Sequence, residues 1–326
     1  MDGERIAGAS LFIAGACLGG LGNLTVILLF VFRLWCGRET DFGNLSQLNL
    51  TVSSFFMTVY FAAAASVTSL TTPSVSSVTS DVKVPVVSEG LCQFTGWMHV
   101  CCCMAALLSM VFLAVQRYLA IHRPLNYQSI MTKPRCVVTC GFIWAVAACW
   151  AGFPFFGWGR YHIKPPAEVP VCSLDYQKSL DYLLVTELAV SVIPISVTTL
   201  CLYKSYGELR STASGTNVWD ISQSANGSAV NADDEALWKA KQSLLWKLST
   251  STLITFVVCS APLCIFAPLL MVVPSSCVYW SIVINTGFFS AHWALCWTWN
   301  QQLSATLQVI KEIVLKKIEN VRKVIS

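Results

Sequence analysis

Cys92-Gln93-Phe94-Thr95-Gly96-Trp97-Met98-His99-Val100 opens an apolar run that continues through Cys101-Cys102-Cys103 and closes at Gln116-Arg117-Tyr118, followed by Leu119-Ala120-Ile121-His122-Arg123-Pro124-Leu125. No Lys, Arg, Asp or Glu interrupts it between Cys92 and Gln116. As a helix rising 1.5 Å per residue, Cys92 to Arg117 spans roughly 37 Å, enough to cross one bilayer with a little tilt. A thiol then marks one end and a fixed cation the other, with a proline seven residues beyond the arginine.

The rest of the chain reads the same way. It is 55% hydrophobic and 12% charged over 326 residues, too apolar for an ordinary soluble domain and too long for a single span. Runs of about twenty apolar residues place spans near 8–32, 44–70, 91–117, 136–158, 182–204, 246–272 and 278–301. The expected class is an all-α membrane protein, a seven-helix bundle over 8–301 with its termini on opposite sides. Of the 21 Lys and Arg, five (Arg5, Lys83, Arg160, Lys164 and Lys178) fall outside if the amino terminus is outside, and the other 16 fall in cytoplasmic segments. That bias predicts the amino terminus out and the carboxyl terminus in. The net charge of +4 is thereby a topology signal and indicates no nucleic-acid partner. Residues 1–7 read as a short extracellular start without the basic region of a signal peptide, so span 1 is expected to act as the signal-anchor.

Between the spans, 71–90 forms a long Ser/Thr/Val-rich outer loop, and 207–231, rich in Ser, Gly and Asn, is expected to be disordered in the cytoplasm. Asp233-Asp234-Glu235 ahead of Leu237, Trp238 and Lys239 predicts a helix start that extends span 6 inward. The sequons at Asn23, Asn44, Asn49 and Asn226 lie in spans or on the cytoplasmic side and are expected to carry no glycan. In the tail, 302–326, Leu303, Leu307, Ile310, Val314, Ile318, Val321 and Ile325 recur at helical spacing among Lys311, Lys316, Lys317, Arg322 and Lys323. This predicts an amphipathic helix on the anionic inner leaflet, with membrane lipids as its partner; a straight extension of span 7 is the other reading.

The arginine and its surroundings resemble the rhodopsin-like class of G-protein-coupled receptors. Gln116-Arg117-Tyr118 is similar to that family's Asp/Glu-Arg-Tyr motif with a neutral first residue. Gly22-Asn23, Leu48-Asn49-Leu50, Trp144, Pro194 and Pro262 match family landmarks in order. The resemblance implies a receptor that passes an extracellular, small-molecule signal to a heterotrimeric G protein, with Arg117 and Tyr118 at the coupling face, and residence in the plasma membrane. It also implies a disulfide between Cys92 and Cys172, both on the oxidising outer side. Cys277 has no obvious partner there, and Cys101 to Cys103 point to different helix faces, as packing residues and not a metal site.

Gly157-Trp158-Gly159-Arg160-Tyr161 and Cys172-Ser173-Leu174-Asp175-Tyr176 look like the second extracellular loop of opsins, a lid over the pocket. An ion pair between Arg160 and Asp175 is implied, against two solvated loop charges. Yet no lysine occurs between Lys247 and Lys311, and alignment of Phe288-Phe289-Ser290-Ala291 leaves Ala291 at the retinal attachment point. An alkyl side chain cannot form an imine, so no covalent retinal cofactor is expected. Thr95 stands where visual opsins carry a counterion carboxylate. Ser54 replaces the usual span 2 aspartate, Ser260 the switch tryptophan, and Trp297-Thr298-Trp299-Asn300-Gln301-Gln302 the Asn-Pro-x-x-Tyr motif.

Within the spans His99, Glu187 and His292 are ionisable, which by itself raises a functional hypothesis. Either they bind a cationic or hydrogen-bonding small ligand, or they crosslink helices. The altered span 6 and 7 motifs leave a second reading of the whole, a non-signalling receptor-like protein acting as a decoy or assembly partner. An enzyme or transporter is disfavoured, because no metal-ligand cluster or nucleophile-base pair stands at useful spacing.

Overall fold

The computed structural model describes residues 2–35, 43–71, 88–162, 171–175, 179–186, 191–213, 232–267, 269 and 274–299. They form seven rods in chain order. Span 1 is Asp2–Ala14 and Gly20–Trp35 joined by a π turn, Gly15–Gly19. Span 2 repeats that plan, Gly43–Phe56 and Ala63–Thr71 around the π turn Met57–Ala62. Span 3 is Glu89–His122, span 4 Lys133–Gly152 with a 3-10 turn Phe153–Phe156, and span 5 Leu180–Thr186 and Ile193–Ala213. Span 6 is Ala232–Phe266 and span 7 Ser275–Trp299. Five helices among the described residues, in spans 1 to 4 and 6, are long and apolar enough to cross a membrane.

Helix ends differ from the apolar runs for physical reasons. Span 3 starts where the Ser88 side chain accepts the Leu91 N–H at 3.3 Å, and it continues past Arg117 to His122. Pro124 ends it, since the residue before a proline is pushed out of the helical region; Arg123 sits at φ −135°, ψ 58°. The same proline then opens the short helix Pro124–Ile130. Helix begins at Asp2, inside the expected amino-terminal extension, and span 5 runs to Ala213, into the segment expected to be disordered. The start of span 6 at Ala232 agrees with the acidic cluster. The amphipathic tail and the long outer loop between spans 2 and 3 fall outside the described residues, apart from the loop's edges.

Span 3 is the axis: spans 2, 4, 5 and 6 and the hairpin between spans 4 and 5 all pack on it. Its neighbours are stitched by amides and indoles, not by apolar contact alone. Asn49 donates to Ser109 at 2.7 Å and accepts from the Trp144 indole at 2.9 Å, so one side chain ties spans 2, 3 and 4. Asn23 donates to the Phe289 carbonyl at 3.0 Å and joins spans 1 and 7. Between apolar helices in lipid there is little hydrophobic drive, so such bonds fix rotation and depth.

Outside the bundle, Gly157 and Gly159 adopt φ 96° and 104°, which lets the chain turn back after span 4 into a two-stranded antiparallel hairpin, β1 Tyr161–His162 and β2 Ser173–Leu174. Tyr161 is buried against Gly96 of span 3, with its hydroxyl donating to the Ala151 carbonyl at 2.8 Å. A Cβ at residue 96 would lie 2.4 Å from that ring. Gly96→Ala should therefore cost about 1–3 kcal/mol by overpacking and lower the melting temperature; an unchanged melt would show that the hairpin does not sit in this notch.

Candidate ligand cavity and the opposite end of the bundle

Beneath the hairpin lies a cavity of about 100 Å³ lined from spans 3, 5, 6 and 7. Span 3 supplies His99, Cys103 and Leu107, one helical turn apart in each step, so the 3.6-residue period places them on one face. Tyr182, Thr186 and Ile195 come from span 5, Phe256, Ser260 and Cys264 from span 6, and Asn285 from span 7; Leu174 of β2 forms the roof. Most of the wall is apolar. Asn285 donates to Ser260 at 2.8 Å and accepts from the Cys103 thiol at 3.6 Å. His99 is buried, stacks on Phe61 with ring centroids 4.4 Å apart, and leaves Nε2 without a protein partner.

The roof is tied at several points. Cys92 and Cys172 form a disulfide with Cα atoms 5.1 Å apart. The Trp158 indole donates to Asp181 at 2.9 Å, and the Arg160 N–H to the Ser179 hydroxyl at 2.9 Å. The expected ion pair of Arg160 with Asp175 is not the one formed. In the hairpin register the Asp175 N–H donates to the Arg160 carbonyl at 2.7 Å, while the guanidinium reaches Glu89 at 3.3 Å. With both side chains more than half exposed, that pair contributes at most about 1 kcal/mol.

Of the ligand candidates, only His99 is seen at the cavity. Glu187 lies outside the described residues, next to Thr186. His292 is buried elsewhere, between spans 2 and 7, with Nε2 3.1 Å from Gln47 Nε2 and 3.6 Å from Cys296 Sγ. Span 7 starts at Ser275, which puts His292 roughly 26 Å down the helix, near the end where span 2 begins. The same register corrects Ala291, which is exposed and does not line the cavity; Asn285 is the span 7 residue that does. An isolated amide in Ile282-Val283-Ile284-Asn285 was the available signal for it. Among the described residues no His, Cys, Asp and Glu group could hold a metal ion.

At the other end of span 3, Arg117 is 1% exposed. Its NH1 donates to Gln242 of span 6 at 3.4 Å, and Nε and NH2 have no protein partner. Gln116 turns away, accepting from Ser46 and donating to Cys136 at 3.6 Å. The Tyr118 ring packs against His122, centroids 4.3 Å apart. Among the described residues Arg117 is thus a buried cation hydrogen-bonded to one neutral amide. Gln242 was not singled out from the sequence, where it is one polar residue among several before Leu244-Leu245-Trp246.

The family model described as 7 transmembrane receptor (rhodopsin family) matches residues 22–298. The chain belongs to this family. It is similar to melanopsin of Phodopus sungorus, 28% identical over 221 residues, covering 67% of this chain and 44% of that one. Melanopsin of Homo sapiens is 25% identical over 252 residues, 75% and 48% of the two chains. The alpha-1A adrenergic receptor of Oryzias latipes is 26% identical over 179 residues, 55% and 34%. The chain spans less than half the length of these curated relatives. In fold it is similar to the crystal structure of squid rhodopsin, with a TM-score of 0.76, 18% identity, and coverage of 97% of this chain and 87% of that one.

The opsin-like lid makes retinal the cofactor to test against the site, and the described residues do not fit covalent attachment. No lysine lies among the described residues lining the cavity, and the sequence has none between Lys247 and Lys311. Purified protein incubated with retinal should show no protonated Schiff-base absorbance and no light-dependent signalling. A visible band that survives acid denaturation and bleaches in light would contradict this.

Proposed function

We propose that this rhodopsin-family receptor sits in the plasma membrane with its amino terminus outside and couples a small molecule in the cavity under the hairpin to a heterotrimeric G protein at Arg117. The observation that carries the reading is the hydrogen bond that ties Arg117 to Gln242. Spans 3 and 6 line the cavity through His99 and Cys264 and meet again at this bond, so a ligand that favours a different packing of the two helices biases whether the guanidinium is held or freed. A buried cation with two nitrogens, Nε and NH2, unpaired among the described residues is costly, and an acceptor offered by a partner would satisfy it. Non-covalent binding suits the cavity, because the described residues of its wall offer no amine to react.

The test is basal guanine-nucleotide exchange on a panel of G proteins. The parent should accelerate exchange on at least one, and Arg117→Ala should reduce that acceleration at least tenfold at equal expression. Silence of the parent across the panel would favour the decoy or assembly-partner role.

A further inference from the structure

We infer that the groove along the outward side of spans 5 and 6 binds a membrane sterol, its ring system lying lengthwise and its hydroxyl paired with Thr250. The site is separate from the cavity under the hairpin, and its occupancy does not depend on the function proposed above.

The groove encloses about 480 Å³. Ile195, Thr199, Tyr203 and Tyr206 line it from span 5, and Trp246, Thr250, Ile254 and Val258 from span 6, each set recurring at helical spacing so that it forms one stripe. At 1.5 Å per residue the stripes are roughly 16–18 Å long. Tyr203, Ile254 and Val258 are exposed, so the groove opens on the surface that meets lipid. At the end nearer Arg117 the rings of Tyr206 and Trp246 stack with centroids 5.2 Å apart, and the indole donates to the Leu202 carbonyl at 3.0 Å. Tyr and Trp gather at the membrane–water boundary, so this pair sets the headgroup level and the groove rises from it into the hydrocarbon. A lipid molecule therefore covers it, and two features select the kind.

The first is a hydroxyl without a partner. Thr199 already donates to the Ile195 carbonyl at 2.7 Å. Thr250 lines the groove one helical turn from Trp246, and its Oγ1 is buried and unpaired among the described residues. A buried hydroxyl left unpaired is costly, and a hydrocarbon chain offers it nothing. A sterol brings one hydroxyl on an apolar body, held close beneath the headgroups, and a hydroxyl can donate to Thr250 or accept from it.

The second is rigidity. Ile195, Thr199, Thr250, Ile254 and Val257 are β-branched, with χ1 restricted in a helix, so the wall is preformed. Seating a flexible acyl chain on it costs rotamer entropy that a fused ring system does not lose. Leu202, Tyr206 and Arg210 also have the Leu-x3-Tyr-x3-Arg order of a pattern proposed for sterol contact, and here the Leu and Tyr both line the groove.

Photolabelling tests this. The purified full chain in phosphatidylcholine nanodiscs is exposed to a diazirine-bearing cholesterol analogue, and labelled peptides are mapped by mass spectrometry. Labelling should saturate on peptides covering 195–206 and 246–258, and excess cholesterol should displace it. Thr250→Val keeps the side-chain shape and removes the hydroxyl; it should weaken displacement by cholesterol roughly three- to tenfold, the loss of one hydrogen bond, and melt no lower than the parent in sterol-free nanodiscs. Cholest-5-ene, which lacks the hydroxyl, should displace the label from the parent less well by a similar factor. Ile254→Trp, which fills the groove from its exposed side, should abolish labelling there. Labelling that does not saturate, or that spreads evenly over the outward faces of spans 1 and 4, would overturn the inference. So would equal displacement by cholesterol in the parent and Thr250→Val, or labelling that survives Ile254→Trp. A photoreactive phosphatidylcholine that labels the same peptides and resists cholesterol would overturn it too, and would make an acyl chain the occupant.

Discussion

Cys92→Ser and Cys172→Ser should each remove most of the protein from the cell surface, and the double variant should be no worse than either single one. The bond joins the outer end of span 3 to β2 across a sequence separation of 80 residues. In the chain-entropy account, closing a loop of that length stabilises by about 4 kcal/mol. The roof of the cavity depends on it, since Val171 to Leu174 is buried and Leu174 lines the cavity. The other ties of the lid are single hydrogen bonds and one exposed ion pair, each contributing about 1 kcal/mol or less. Surface labelling with a non-reducing gel checks it. Equal surface levels and unshifted mobility in both variants would show that the bond is dispensable.

A change in signalling is expected from Gln242→Glu, which should lower basal nucleotide exchange about five- to tenfold. Arg117 NH1 now meets a neutral amide oxygen at 3.4 Å. The guanidinium already makes this bond charge-assisted, and a carboxylate at that place turns it into an ion pair, about 1–1.5 kcal/mol stronger than the bond to the neutral amide. Since 1.4 kcal/mol is a factor of about ten in an equilibrium, the closed arrangement of spans 3 and 6 gains by that factor. Gln242→Ala should move exchange the other way. If Gln242→Glu leaves exchange unchanged or raises it, the tether is not what holds the cytoplasmic face shut.

Much of this architecture is legible in the chain. Seven apolar runs, the Cys92 to Arg117 spacing, and Asn23, Asn49 and Trp144 each sit where the bundle uses them, because a membrane span must be about twenty apolar residues and a polar residue within it must find a helix partner. The failures concern depth and pairing. Alignment puts Ala291 at the retinal attachment point, yet span 7 begins at Ser275 and carries Asn285 to the cavity; of the two readings open for His292, the structure has the helix-crosslinking contact, with Gln47 of span 2. Without a lysine or a proline in that span to fix its register, an apolar helix buried on several sides gives no signal of how deep each turn lies. Arg160 reaches Glu89, 71 positions away, and Arg117 reaches Gln242, 125 positions away. Partners at such separations are set by how the rods stack, and residue spacing along one rod does not encode it.

The central claim is that Arg117 marks a face built to receive a heterotrimeric G protein. The most direct measurement is formation of a nucleotide-free complex. Receptor in nanodiscs is mixed with each of a panel of heterotrimers, guanine nucleotide is removed enzymatically, and co-elution is followed by size exclusion. A stable complex with at least one heterotrimer is predicted, dissolved by a non-hydrolysable GTP analogue and absent in Arg117→Ala. Failure to form a complex with any heterotrimer, or a complex that persists unchanged in Arg117→Ala, would contradict it.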